Sequence, residues 1–169
     1  MRILDIGCGR EKYPAAVGID KANLPGVDVV IDFEKKKLPF SDNSFDMVVL
    51  KHTIEHVEDI GRLMAEIHRV LKKGGKVVIH TPHFSHPSSF SDITHKHHLT
   101  YDSFNYFTAG EKYNYYSGVR FKIIRRRIIF SRVLKIVEPF ANLAPKIYEN
   151  YFSHIFPAWQ IYFEMEVEK

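Results

Sequence analysis

Apolar residues in the first eighty positions come in short runs, not in one amphipathic period. Ile3-Leu4-Asp5-Ile6, Val17-Gly18-Ile19, Val27 to Ile31 and Phe45 to Leu50 are four such runs, closed by Gly7, Asp20, Asp32 and Lys51. From Ile60 the spacing changes. Leu63, Met64, Ile67, Val70 and Leu71 recur at intervals of three and four, which predicts a helix stopped at Gly74-Gly75. Lys76 to His80 is a fifth strand. Short, nearly all-apolar strands separated by crossovers predict a parallel sheet buried on both faces. Residues 82–99 show no period and predict a long loop. Thr100 is positioned to cap a short helix through Phe107, and Val119 to Phe130 reads as a sixth strand. Residues 132–155 are helical in pattern but interrupted by Pro139 and Pro145, which predicts two short helices. Trp159, Ile161, Phe163, Met165 and Val167 alternate with polar or amphipathic residues, the pattern of a last, antiparallel strand with one buried face. The expected architecture is α/β: a mostly parallel seven-stranded sheet in a three-layer α/β/α arrangement.

Composition narrows this picture little. At 169 residues the chain fits one domain, with residues 1–81 and 82–169 differing in character. Hydrophobic content of 45% and charged content of 26% suit a soluble globular protein. No apolar run approaches the roughly 20 residues that span a bilayer, and the opening residues read as a strand, so no signal peptide is expected. The lone Cys8 cannot form an internal disulfide, which fits a cytoplasmic setting. Net charge is +4, but Lys35-Lys36-Lys37 and Arg125-Arg126-Arg127 are short runs typical of solvated edges, so nucleic acid is not the expected partner.

Chemistry enters at the first turn. Gly7 and Gly9 let backbone N–H groups approach a ligand with no Cβ in the way. Asp20, at the tip of the neighbouring strand, can accept both hydroxyls of a ribose. A dinucleotide fingerprint would need a third glycine where Lys12 stands, and Pro14 follows it. Only 15 positions separate Asp5 from Asp20, too few for a full crossover helix and a strand. That leaves little helix N-terminus for a pyrophosphate, which argues against a dehydrogenase.

The stretches Leu4-Asp5-Ile6-Gly7-Cys8-Gly9, Gly18-Ile19-Asp20, Val29-Val30-Ile31-Asp32-Phe33, Leu38 to Asp46, Glu55-His56-Val57, Leu71 to Gly75 and Asp92 to Thr100 occur in an order that resembles the class I S-adenosylmethionine-dependent methyltransferases, specifically the short-loop branch of the type 11 group. The resemblance implies a Rossmann-like methyltransferase fold with S-adenosyl-L-methionine as cofactor. It implies that residues 1–81 bind cofactor and residues 82–169 cover an acceptor, with a helical insertion at 132–155. Gly7, Cys8 and Gly9 would line the methionine part, with Asp5 supporting the turn. Asp20, with Lys21 beside it, would bind the ribose. Asp32 would accept from the adenine amino group, with Phe33 on the ring. Lys51 and His52 would lie beside the methionine and its methyl group. Two departures stand out: the helix after the glycine turn is missing, and no helix precedes the first strand. Arg10 and Lys12 could compensate by pairing with the cofactor carboxylate. The helices at 132–155, or a second subunit in a homodimer, could close the cleft.

A sulfonium methyl is already activated, so catalysis is mainly positioning and, for a weakly acidic acceptor, removal of a proton. No Asn/Asp-Pro-Pro-aromatic motif follows the fourth strand, which points to a small-molecule or glycan-like acceptor methylated at oxygen. His52, His83 and His95 are the candidate general bases. Tyr113, Tyr115, Tyr116, Tyr148, Tyr151 and Phe152 could wall the acceptor pocket, and Glu149 could orient a hydroxyl. His52-Thr53-Ile54-Glu55-His56 matches an inverted zinc-protease pattern, but its place directly after a strand makes the match an accident. The histidines between His80 and His98 could converge on zinc. The plainer reading is a polar loop at the acceptor mouth, and no metal is assigned. Cys8 reads as a space-filler, Asp46 as structural, and His56 as a hydrogen-bonded histidine at a helix start. Alternative functions are a weakly catalytic cofactor-binding module acting with a partner, or an RNA or nucleotide methyltransferase.

Overall fold

The computed structural model describes all residues except 112–114 and 116. Strands β1 (Ile3–Ile6), β2 (Ala16–Asp20), β3 (Val29–Val30), β4 (Phe45–Lys51), β5 (Leu71–Pro82), β6 (Arg120–Ile129) and β7 (Gln160–Glu168) form one sheet in the order β3-β2-β1-β4-β5-β7-β6. The first five are parallel, and β7 runs antiparallel to both β5 and β6. The third apolar run yields only two strand residues, because Val30 and its neighbours lie at the exposed edge.

Helix α1 (Ile60–Val70) follows the apolar period, burying Leu63, Met64, Ile67 and Val70, and Asp59 caps it by accepting from the Arg62 N–H at 2.8 Å. It ends sooner than the glycine pair suggested. Leu71 is already extended and opens β5, and Gly74 and Gly75 lie in the irregular stretch where the β4–β5 register shifts. Gly74 there takes φ +72°, and a Cβ on Gly75 would meet the Lys72 carbonyl oxygen at 2.8 Å. After the one-turn α2 (Ser88–Ser91) inside the long loop, the insertion is more broken than two helices: α3 (Glu138–Leu143) and α4 (Pro145–Ile147) run into a π turn at Tyr148–Phe152. Buried Glu138 ties it to β6 through Arg127 and the Phe130 N–H, and Lys135 within the insertion pairs with the same carboxylate. Val133, Ile136, Leu143 and Tyr151 on this insertion are exposed, yet no described helix is long and apolar enough to cross a membrane.

The two outer layers are unequal. Leu4, Ile6, Val48, Leu50, Val77 and Ile79 share one core with α1, Phe104, Ala141 and Tyr148. The alternate strand residues Ile3, Ala16 and Val49 form a small second cluster on the other face. There, as the short spacing from Asp5 to Asp20 predicts, β1 and β2 are joined by the loop 7–15 and not by a helix, and Asp5 anchors the loop by accepting from the Tyr13 N–H at 2.7 Å. Because β1 pairs with β2 on one side and β4 on the other, the winding reverses between β1 and β4. In open α/β sheets ligands bind outside the strand carboxyl ends at that point.

Candidate functional site

Three cavities meet at this edge, and His52 lines all of them. The largest, about 630 Å³, lies between the tips of β1 and β2 and the loop after β5; Gly7, Asp20, Phe33 and Thr94 are among its walls. A second, about 220 Å³, sits over the glycine turn and includes Asp5, Cys8, Arg10 and Lys51. A third, about 370 Å³, opens beyond His52 toward Glu55, His95, Trp159 and Gln160.

The glycine turn is held by backbone geometry. The Gly7 and Cys8 N–H groups donate to the Ile19 carbonyl at 2.8 and 3.1 Å. Gly7 takes φ +70°, and a Cβ there would stand 2.5 Å from the Thr53 side chain, so no other residue fits. Asp20 bridges the turn and the strand tip: Oδ2 accepts from the Gly9 N–H and Oδ1 from the Ala22 N–H, both at 2.9 Å. Each carboxylate oxygen keeps further acceptor capacity, and Asp20 lines the large cavity. Lys21 lines that cavity beside it. Over the second cavity, Lys51 pairs with Glu11 at 3.1 Å while exposed Arg10 stands among the lining residues. Lys12 does not point there; its ammonium pairs with Asp28 at 2.8 Å, which removes it as a partner for a cofactor carboxylate. The Cys8 thiol is pushed up to about 11, first by burial and then by Asp5 and Asp20, so it is an inert filler. Burial likewise raises Asp5, whose role is to hold the turn.

Two expected positions change. Asp32 is not among the residues lining the large cavity. Burial raises its pKa, but the Lys35 ammonium at 3.2 Å and the Glu34 and Lys35 N–H groups outweigh it and hold the carboxyl below the usual range. Phe33 and Glu34 take the wall position instead. His83 is fully buried and commits both nitrogens. The Ser85 N–H donates to Nδ1, which leaves the ring proton on Nε2 to donate to Glu149 at 3.1 Å. Glu149 also accepts from the Tyr101 N–H at 2.6 Å. His83 and Glu149 therefore brace the loop, with both His83 ring nitrogens already engaged.

His52 and His95 do face cavities. His52 sits just past β4 with φ +52°, a strained conformation for a non-glycine residue. The Gln160 amide donates to its Nε2 at 2.7 Å, which puts the ring proton on Nδ1, 3.4 Å from Oε1 of buried Glu55. Gln160 reaches it because β7 is antiparallel: Gln160 pairs with Pro82, so β7 starts where the parallel strands end. His95 lines the third cavity and packs edge-on against His56, with ring centroids 4.6 Å apart. Its loop is closed at the base by a bridge between His83 and Leu99, and folds back so that the Lys96 and His97 N–H groups donate to the Glu55 carbonyl. Thr94 and Lys96 thereby overhang the large cavity.

The aromatic wall is not as expected. Tyr113 and Tyr116 lie outside the described residues. Tyr148 is core, its hydroxyl donating to the Phe156 carbonyl, and Tyr115 and Tyr151 are exposed. Trp159 supplies the aromatic wall of the third cavity. Asp46 is structural, taking the Arg2 N–H and Lys72. Sequence reasoning missed Glu55 and Gln160 as site residues; Glu55 was visible inside the His52–His56 pattern, whereas nothing local marks Gln160.

A nucleoside-sized cavity at the switch point, over a side-chain-free turn with a carboxylate at the next strand tip, defines a Rossmann-like fold of the methyltransferase class. Residues 4–79 match the family described as methyltransferase domain, of type 11. Residues 4–79 are thus similar to a methyltransferase domain, a likeness that implies S-adenosylmethionine as cofactor. It is 34% identical over 104 residues to a demethylmenaquinone methyltransferase of Renibacterium salmoninarum, covering 52% of this chain and 43% of that one. It is 32% identical over 107 residues to a 2-phytyl-1,4-naphtoquinone methyltransferase of Nostoc punctiforme, covering 60% and 46%. The chain thus spans less than half the length of these curated relatives. A SAM-dependent methyltransferase from Archaeoglobus fulgidus shares the fold, with TM-score 0.63 at 19% identity over 98% of this chain and 85% of that one.

Proposed function

We propose that this protein transfers the methyl group of S-adenosylmethionine to a small-molecule acceptor held in the third cavity, at an oxygen of an ionisable hydroxyl. The observation that carries this reading is the position of His52, which borders the nucleoside-sized cavity, the amino-acid-sized cavity and the third cavity at once. When bound, the cofactor supplies a methyl group activated by a sulfonium. The chain has to hold it, align the acceptor and remove one proton.

Asp20 would accept the ribose hydroxyls and Phe33 would flank the purine, a reading supported by their both lining the large cavity. Arg10 suits the amino-acid carboxylate over the glycine turn. An acceptor hydroxyl that displaces the Gln160 amide from Nε2 of His52 puts its proton on the ring. The imidazolium so formed faces Glu55, which is 1% exposed and within ion-pairing distance. That division of labour resembles an oriented base with a buried carboxylate behind it. The relatives named for quinones suggest acceptors whose ring hydroxyls ionise readily, and a sugar hydroxyl remains the glycan-like case. Against the RNA reading, Arg126 is occupied by Tyr101, Asp102 and Asn105, and Arg127 by Glu138.

Calorimetry with S-adenosylhomocysteine, followed by labelled-methyl turnover against a quinol, a simple phenol and a nucleotide sugar, tests the proposal. Binding is expected, with an O-methylated product from one acceptor. His52→Ala should lower kcat by about a hundred- to ten-thousand-fold. Failure to bind S-adenosylhomocysteine would overturn the reading, and a C-methylated product would overturn the choice of oxygen.

A further inference from the structure

We propose that Glu55, His56 and His95 form a binding site for a divalent transition-metal ion in the wall of the third cavity. The inference goes beyond methyl transfer and stands on the geometry of these side chains. One ligand atom from each of the three residues lies within 4.8 Å of the others. Two imidazoles and a carboxylate are the donor set that zinc takes at sites with an open fourth position. Such a position would face the same cavity as His52 and Trp159.

The carboxylate gives the first independent sign. Glu55 is 1% exposed and lines the cavity, and its Oε2 accepts from the Thr81 hydroxyl at 3.1 Å. Its Oε1 is buried and accepts no hydrogen bond from any described residue, the His52 Nδ1–H at 3.4 Å falling short of hydrogen-bond geometry. A buried, unsatisfied carboxylate oxygen is costly, and a cation is one of the few groups that satisfies it.

The hydrogen bonds around the histidines give the second. Thr94 donates its single hydroxyl proton to Asp92 at 2.7 Å, since a carboxylate can only accept. It must therefore accept at its 2.9 Å contact with His56, so Nδ1 of His56 carries the proton. His95 directs Nδ1 at the Ser89 carbonyl at 3.0 Å, which also can only accept. Both rings are fixed with Nδ1 protonated and Nε2 bare, the state in which a backbone or carboxylate-linked partner prepares a histidine for a metal. Asp92 adds negative charge, its Oδ2 standing 3.9 Å from Nε2 of His95. His52 is excluded as a ligand, because Gln160 occupies its Nε2 and its Nδ1 holds a proton. The pattern in the sequence thus holds metal ligands in a different combination from the protease one: the adjacent Glu55 and His56, completed by a histidine from the loop.

The test titrates untagged, chelator-dialysed protein with Zn²⁺ against a chromophoric competitor, with Co²⁺ in parallel for its visible spectrum. One equivalent per chain is expected. His95→Ala and Glu55→Gln should each weaken zinc by at least about ten-fold, and Thr94→Val, which touches no metal, by about ten- to a hundred-fold through the freed His56 ring. Thermal unfolding of each variant reports whether it is folded. Wild-type protein that holds no more zinc than the His95→Ala and Glu55→Gln variants would overturn the site. S-adenosylhomocysteine binding without zinc defeats this inference alone, while zinc binding without S-adenosylhomocysteine defeats the functional proposal alone.

Discussion

The glycine turn and the third cavity share one sheet edge but are built by opposite means. Around the turn, backbone N–H groups bond partners within twenty residues: Gly7 and Cys8 donate to the Ile19 carbonyl, Gly9 to the Asp20 carboxylate and Tyr13 to the Asp5 carboxylate. Around the third cavity, side chains from distant segments converge, with His52 and Gln160 separated by 108 positions. A backbone site constrains conformation and tolerates almost no added atom. A side-chain site can be respecified one residue at a time while the sheet beneath it stays intact. That contrast suits an enzyme whose cofactor is shared across a family and whose acceptor is its own.

The sharpest way to break the contrast is Gly7→Ala. The new Cβ would lie 2.5 Å from Thr53 at a φ of +70°. Strain and overpacking together should cost about 2–5 kcal/mol, seen as a lower Tm and the loss of S-adenosylhomocysteine binding. Normal binding by a folded variant would refute the backbone account. Next in size, Asp20→Ala removes a charged acceptor and should weaken S-adenosylhomocysteine by about ten- to a hundred-fold in calorimetry.

On the side-chain half, Gln160→Leu should leave cofactor affinity near that of the wild type and lower kcat/KM by about ten-fold, because the free enzyme loses the hydrogen bond that orients the His52 ring before the acceptor arrives. The smallest effect concerns the strap that ties the insertion to β6. Burial raises the Glu138 pKa, but Lys135, the Phe130 N–H and Arg127 outweigh it, so it lies below its ordinary value of 4.5 in the fold. The unfolded chain then takes up the proton first. The contribution is complete at neutral pH and is lost as pH falls from 4.5 through the lower folded value. Glu138→Gln should cost about 1–3 kcal/mol at neutral pH, with the Tm gap to wild type closing in acid. A constant gap across that range would show that the charge is not what holds the insertion.

The insertion also shows where local reading weakens. Pro139 and Pro145 announced a broken helix, and the break at Ala144 is where Pro145 starts α4. Nothing local announced the π turn after it or the burial of Tyr148 in the core. Likewise Asp32 lies two residues past the short β3 and turns toward Lys35, three residues on, a contact that strand periodicity does not encode.

The sequence by itself determined the strands, the amphipathic α1, the antiparallel end and the glycine turn, because apolar period and backbone permissiveness are properties of neighbouring residues. It also determined Asp20, since a strand tip beside a glycine turn follows from the order of elements. Only the tertiary structure decided that His83 is a brace, that Gln160 meets His52, and that Glu55, His56 and His95 face one another. Those meetings depend on strand order, on the register of β7 against β5 and on how a seventeen-residue loop folds back. Such relations are set by the packing of the whole sheet, and no window of neighbouring residues contains them.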